Sequence, residues 1–157
     1  MDKIIIERKK HMSMFSSFNI NASGMTAQRY RMDVISENVA NANTTRTADG
    51  TPYRRKMVYF EEKPADFGTC LHNATGQYTG GQGVKVTGVY EDTKTEMKMV
   101  YDPSHPDANE DGYVFYPNVD IVTEMTNMID ASRAYEANAT AFSASKNMAL
   151  QGLQIGQ

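Results

Sequence analysis

The chain has 157 residues and a formal charge of −3, enough for one ordinary domain and without the global basic field that holds nucleic acid. Cys70 is its single cysteine, which excludes an intramolecular disulfide, and Cys70-x-His72 is too sparse for a structural zinc site with four ligands. Hydrophobic residues make up 40% of the chain, with 11 Met and no Trp, and such flexible side chains suit either plain core filling or a surface that adapts to several partners.

Residues 1–11 hold Lys3, Arg8, Lys9 and Lys10 against Asp2 and Glu7, with Ile4-Ile5-Ile6 as their only apolar run. A secretory signal needs an apolar stretch of roughly 7–15 residues, and a membrane span about 20. Neither is present in the sequence, so a route out of the cytoplasm is expected to use no cleaved signal. A first helix is predicted from about Met14 to Asn43. Phe18, Met25, Met32 and Val39 recur every seven residues, and Met14, Ile35 and Ala42 flank that row. Residues three, four and seven apart share one helix face, giving a narrow apolar stripe broken by Gln28. Gly24 weakens the helix locally. Asn41 to Thr45 end it, because Asn and Thr side chains compete for backbone hydrogen bonds.

The middle, 46–118, reads as a small β domain. Tyr53 to Phe60 and Val84 to Tyr90 are rich in β-branched and aromatic residues, and Met97 to Tyr101 alternates, each the mark of a strand. Gly76, Gly80, Gly81 and Gly83 signal a turn before Val84. Pro103 and Pro106 exclude helix there, and Tyr113 to Tyr116 reads as a short strand.

The last helix is predicted from Ile121 to Leu153, with Asp120 as N-cap and Glu124 near the first turn. Its seam is Ile121, Met125, Met128, Ser132, Tyr135, Ala139, Phe142, Ala149 and Leu153, at spacings of three and four with Lys146 interrupting. Such a repeat implies coiled-coil packing against another helix. The fold class is α+β: long N- and C-terminal helices paired as a coiled-coil-like unit, with the β domain between them. The longer helix outruns the shorter, leaving apolar seam open for a partner.

Chemical alternatives fare poorly. Asp107-x-Asn109-x-Asp111-Gly112 matches the start of a calcium-binding loop, but position twelve is Asn118 where a bidentate Glu is needed. Glu61-Glu62, Glu91-Asp92 and Glu110-Asp111 read as solvated surface rather than a hydrolase pair. His11, His72 and His105 fall in no catalytic motif, and no Gly-x-Ser-x-Gly elbow occurs. Arg54-Arg55-Lys56 reads as a solvated stretch or a protein contact. No cofactor, metal site or enzymatic activity is expected.

Ser36 to Thr44 resembles the N-terminal motif of flagellar rod, hook and related axial proteins. Asn118-Val119-Asp120, Glu124-Met125, Met128-Ile129 and Ser132 to Asn138 are similar to their C-terminal motif. Tyr101 to Asp107, followed by Gly112-Tyr113-Val114 and Tyr116 to Val119, resembles the flagellar basal-body rod proteins, nearest to their proximal rod members. The resemblance covers roughly residues 12–157 and leaves 1–11 as an extension outside the pattern. It divides the chain into an N-terminal core helix (12–45), a middle domain (46–118) and a C-terminal core helix (119–157). The motif residues it marks are Asn38, Asn41, Thr44, Arg133, Tyr135, Glu136 and Asn138. It implies a structural subunit of the periplasmic rod, exported by the flagellar type III apparatus. It also implies contacts with copies of itself, with other rod proteins, and with the MS-ring and its adaptor. The assembly interface expected from the two seams is Phe18, Met25, Met32, Ile35 and Val39 with the nine positions from Ile121 to Leu153 named above.

Overall fold

The computed structural model describes residues 14–65, 67–75 and 81–155; the expected extension, His11, and Gly76 and Gly80 of the expected turn lie outside them. The order is α1 (Met14–Ala40), β1 (Lys56–Glu62), α2 (Phe67–Ala74), β2 (Val84–Glu91), β3 (Lys98–Tyr101), β4 (Tyr113–Tyr116) and α3 (Ile121–Ile155). The fold is therefore α+β, with end helices flanking a small β region. That region is two antiparallel pairs, β1–β2 and β3–β4, rather than one sheet. The first strand begins at Lys56 instead of Tyr53 because Tyr53 to Arg55 cross the base of the helix pair as an extended link. The eight-residue α2 was not anticipated. It is too short for its periodicity to stand out, and its Phe67 and Leu71 are exposed.

The helices α1 and α3 run antiparallel. Ser17 faces Ser145 with hydroxyls 3.1 Å apart, Gly24 faces Asn138, Arg31 Nη2 donates to Asn127 Oδ1 at 3.3 Å, and Asn38 meets Glu124 at 3.0 Å. On α1 these positions step by seven. On α3, Glu124, Ala131, Asn138 and Ser145 step by seven in the opposite sense. The seam is thus a small and polar row, beside the apolar rows rather than along them. Ser23, Ala27, Val34, Ile35 and Asn38 are buried on α1, and Glu124, Ala131 and Ser145 on α3. Small side chains let the backbones approach. Larger neighbours then wedge at the flanks, where Phe18 and Phe142 meet edge to face with ring centroids 5.1 Å apart.

Only glycine fits position 24. An added Cβ would stand 2.7 Å from Asn138 Oδ1, and Asn138 is itself tied by its Nδ2 to Ala134 O at 2.7 Å. The β1–β2 pair is pinned to α1 farther along. Val84 N donates to Ser23 Oγ at 3.1 Å, and Ser23 Oγ donates to Ile20 O at 2.7 Å. Gly83, at φ +91°, brings its backbone against that hydroxyl.

Helix propensity alone favours Gly24→Ala by up to about 1 kcal/mol. Overpacking against Asn138 reverses that sign, and we expect a net loss of about 1–3 kcal/mol, seen as a lower melting temperature. Adding Asn138→Ala should restore most of the loss. A higher melting temperature for the single variant would show that propensity decides at this layer.

Candidate functional site

Where the helix pair meets the β region, three chain segments converge on one buried polar cluster. Its centre is Asn38, near the end of α1 and 1% exposed. The amide Nδ2 donates to Lys56 O at 2.8 Å and to Glu124 Oε2 at 3.0 Å. Its Oδ1 accepts from Tyr53 Oη and from Lys56 N, each at 2.9 Å. A primary amide has two donor protons and two acceptor lone pairs, so Asn38 is fully used.

Glu124 is also 1% exposed. Its other oxygen, Oε1, accepts from Arg55 Nε at 2.8 Å and Nη2 at 2.7 Å. A buried carboxylate is tolerable only with a paired charge and donors on its lone pairs, and Arg55 and Asn38 supply both. The expected role of Glu124, favouring the helix dipole, is therefore secondary. The cap falls to Asp120: its Oδ2 accepts from Thr123 Oγ1 at 2.6 Å, while Glu124 N closes the first turn on Asp120 O at 2.9 Å. The Thr123 hydroxyl holds the Asp120 carboxyl below its ordinary value, with desolvation opposing and the Val122 and Thr123 amides and the Lys98 charge assisting.

Asn118 extends the cluster towards β3. Its Oδ1 accepts from Arg55 N at 2.8 Å, and its Nδ2 donates to Asp92 O at 2.9 Å and Thr95 O at 3.3 Å. Asp92 in turn folds its own loop, accepting from Lys94 N, Thr95 N and the Thr95 hydroxyl. The Thr95 hydroxyl, then the Thr95 and Lys94 amides, with the nearby Arg55 charge, hold the Asp92 carboxyl below its usual value, with desolvation opposing. Burial pushes the Tyr53 hydroxyl well above its ordinary value, and Glu37, Glu124 and Glu91 add to the shift. Tyr53 therefore stays a donor to Asn38 across the physiological range. It packs with Ala42 and Val119, while the Lys56 ammonium lies over its ring, 5.5 Å from the centroid, and pairs with Glu37.

The motif residues named from the sequence divide. Asn38 and Asn138 are in the helix seam. Asn41 and Thr44 build the turn after α1: Thr44 Oγ1 donates to Asn41 Oδ1 at 3.2 Å and Asn41 Nδ2 donates to Glu37 O at 3.0 Å. Tyr135 is half-buried, whereas Arg133 and Glu136 point to solvent. Among the seam positions, Ile35 is buried. Phe18, Met25, Met32, Val39, Met128, Ser132, Tyr135, Ala139, Phe142 and Ala149 are half-buried. Ile121, Met125 and Leu153 are exposed, the last two at 57% and 70%, and Val122, Ile129, Met148 and Leu150 beside them are exposed as well. The structure does not bring this second set to α1; they form apolar patches near the two ends of α3.

Arg55 is the functional residue the sequence hides, while Asn118 falls within the motif segments that the resemblance marks, without a role assigned to it. Arg55 looked like one of three solvated cations, and its partner Glu124 lies 69 positions away. The loop with the calcium-like pattern serves otherwise. Asp107 accepts from Thr45 Oγ1 at 2.8 Å and pairs with Arg46 at 3.6 Å, and Asn109 Oδ1 receives the Asp111 and Tyr113 amides. Among the described residues, no group of three or more His, Cys, Asp or Glu is placed to hold a metal ion, and no helix is long and apolar enough to cross a membrane.

Two family profiles match the chain on either side of the cluster. Residues 18–46 match "Flagella basal body rod protein", and 110–155 match "Flagellar basal body rod FlgEFG protein C-terminal". Asn38 falls in the first, Asn118 and Glu124 in the second. The chain is 46% identical over 151 residues to the flagellar basal-body rod protein FlgC of Bacillus subtilis, covering 93% of this chain and 100% of that protein. It is 46% identical over 153 residues to FlgC of Borreliella burgdorferi (93% and 99%) and 42% over 146 residues to FlgC of Salmonella typhimurium (93% and 100%).

Replacing Asn38 by Ala strands the Tyr53 hydroxyl, the Lys56 amide and carbonyl, and one side of Glu124. With about 1–3 kcal/mol for each unsatisfied buried group, the loss should reach about 4 kcal/mol or more in urea unfolding; a loss under about 1 kcal/mol would show the cluster is not the junction. The depressed Asp92 acid contributes stability that is complete above its unfolded pKa of about 3.9 and disappears as pH falls through its lower native value. Asp92→Asn should flatten that acid limb of the stability–pH curve, and an unchanged limb would show that other carboxylates govern it.

Proposed function

The chain belongs to the FlgC family of flagellar basal-body rod proteins, and on that premise we propose that it is a structural subunit of the proximal rod, assembling helically into the periplasmic shaft that carries motor torque to hook and filament. The observation that supports this is the apolar surface left on α3 after α1 has been paired. Met125 with Val122 and Ile129 at one end, and Leu153 with Leu150 at the other, are solvent-facing on a single helix of 35 residues. At 1.5 Å per residue that helix is about 50 Å long. Two separate apolar patches on one subunit suit heterologous contacts, which generate helical assemblies when the rotation does not close.

In this reading the interface comprises the exposed seam positions Ile121, Met125 and Leu153. Phe18, Met25, Met32, Ile35, Val39, Met128, Ser132, Tyr135, Ala139, Phe142 and Ala149 shape the helix pair that presents them. The neighbours are other rod proteins, copies of the same chain, and the MS-ring with its adaptor at the base. Delivery is by the flagellar type III apparatus. The polar junction keeps the helix pair and the β region in a fixed relation, so that load on one is borne by the other. No catalytic step is assigned to any residue.

Met125→Glu and Leu153→Glu place charge on positions already open to solvent, so the isolated chain should keep its fold and melting temperature. In a deletion strain, complementation with either variant should abolish swimming and filaments by electron microscopy, whereas the unaltered chain restores both. A desolvated, unpaired carboxylate at a contact costs several kcal/mol, about 3–5. Full swimming with both variants would remove α3's open patches from the interface. Full swimming in the uncomplemented deletion strain would remove the rod function itself.

A further inference from the structure

The short helix α2 leaves the β1–β2 pair between its two strands and, among the described residues, comes against no other helix or strand. Phe67 and Leu71, one turn apart and so on one side of the helix, are 79% and 55% exposed. The helix contains no Asp, Glu, Lys or Arg. Isolated helices shorter than roughly 12–15 residues are marginal in water and draw their stability from packing an apolar side. At eight residues, α2 needs a cover that the rest of the described chain does not supply. The far end of α3 offers one. Lys146, Leu150 and Leu153 are spaced four and three residues apart, so they share one side of that helix. All three are exposed, the leucines at 49% and 70%. From Ala137 to Ile155, Lys146 is the only charged residue of α3. Glu62 is exposed at the end of β1, on the approach to α2, and neither it nor Lys146 takes part in an ion pair among the described residues.

We propose that α2 of one copy of this chain docks its Phe67–Leu71 side on the Leu150–Leu153 side of α3 in a neighbouring copy, with Glu62 set towards Lys146. The inference rests on the reading above, that copies of this chain assemble with one another, and it names the two surfaces that meet. Two helix sides that each carry large apolar residues about one turn apart can interdigitate as ridges into grooves. The other apolar patch of α3 is a poorer match, because Val122, Met125 and Ile129 lie among the exposed Asp120 and Asp130, which would set Glu62 against like charge. The contact is heterologous: each copy gives its α2 to one neighbour and receives that of another. It therefore propagates, as a ring or a helix, instead of stopping at two copies.

Cys70 is the chain's single thiol, exposed and three residues after Phe67 on the docking side, so it serves as the probe. Leu153→Cys supplies a second thiol in a deletion strain complemented with the variant chain, and a short bis-maleimide is added to the swimming cells. Denaturing gels should then show the chain as a ladder of dimers and larger species. The ladder should be absent when Cys70→Ser is combined with Leu153→Cys, and absent from Met125→Cys and Met99→Cys chains. A bridge within one chain and no ladder would place α2 on its own α3, and a product containing another protein would give it a different partner. Either result overturns the proposal, as does no cross-link, or an equal ladder from Met125→Cys. Should Leu153→Cys itself stop swimming, Leu150→Cys takes its place in the same measurement. Phe67→Glu, at an exposed position, should leave the melting temperature of the isolated chain unchanged and abolish swimming, whereas Phe67→Leu should keep it. Full swimming with Phe67→Glu overturns the docking, and if Leu153→Glu still stops the cells the rod reading stands without it. An uncomplemented deletion strain that swims overturns both.

Discussion

A carboxylate removed from water must be answered by its surroundings, and Glu124 is answered by two residues from different parts of the chain. Arg55 supplies the charge and Asn38 the remaining donor. Neither could do so unless α1, the link before β1, and the start of α3 were all in their observed places. Burying an ion pair seldom adds net stability over an apolar substitute, because desolvation offsets much of the attraction. What it does impose is a steep penalty on every arrangement in which a partner is missing. A slip of α1 by one turn along α3 would leave Glu124 and Asn38 buried and unpaired. A polar residue within a helix seam is the best-attested way to fix register, and here it fixes the β region as well.

The rest of the helix pair depends on that restraint. With Ser17, Gly24 and Ala27 on one side and Ala131, Asn138 and Ser145 on the other, the seam has little apolar bulk to define its own register. Close approach of the backbones at Gly24 gives dispersion contact, and the Phe18–Phe142 pair adds an aromatic wedge near the far end. Between these, a fixed polar anchor at one end decides which layers meet.

Much of this architecture was legible in the sequence. Heptad spacing announced both helices, alternation announced the strands near Val84 and Lys98, and the proline pair marked the loop before β4. The resemblance picked out Asn38 and Asn138 without a physical reason, and the structure supplies one for each. The apolar repeat marks rows that flank the seam, with Ile35 buried and Phe18 against Phe142, while the facing layers are made by serine, glycine, alanine and asparagine with Arg31 and Glu124. The seven-residue spacing of Ser17, Gly24, Arg31 and Asn38 and of Glu124, Ala131, Asn138 and Ser145 is present in the sequence. Arg55 is illegible for a different reason: its role exists only once distant segments have met, and nothing local distinguishes it from a surface cation. The eight-residue α2 offered too few turns for any periodicity.

The Ser17–Ser145 contact joins residues 128 positions apart, and this separation governs the order in which the molecule can form. The β3–β4 pair, whose strands Lys98–Tyr101 and Tyr113–Tyr116 lie near one another in sequence, closes a far shorter loop and can form early. The seam of α1 must wait until almost the whole chain is free, since loop closure has to precede the contacts that reward it. A chain emerging from a narrow passage, from either end, would carry its first helix unpartnered until its last helix had also emerged. Completion of the helix pair is therefore a signal that everything between α1 and α3 has arrived.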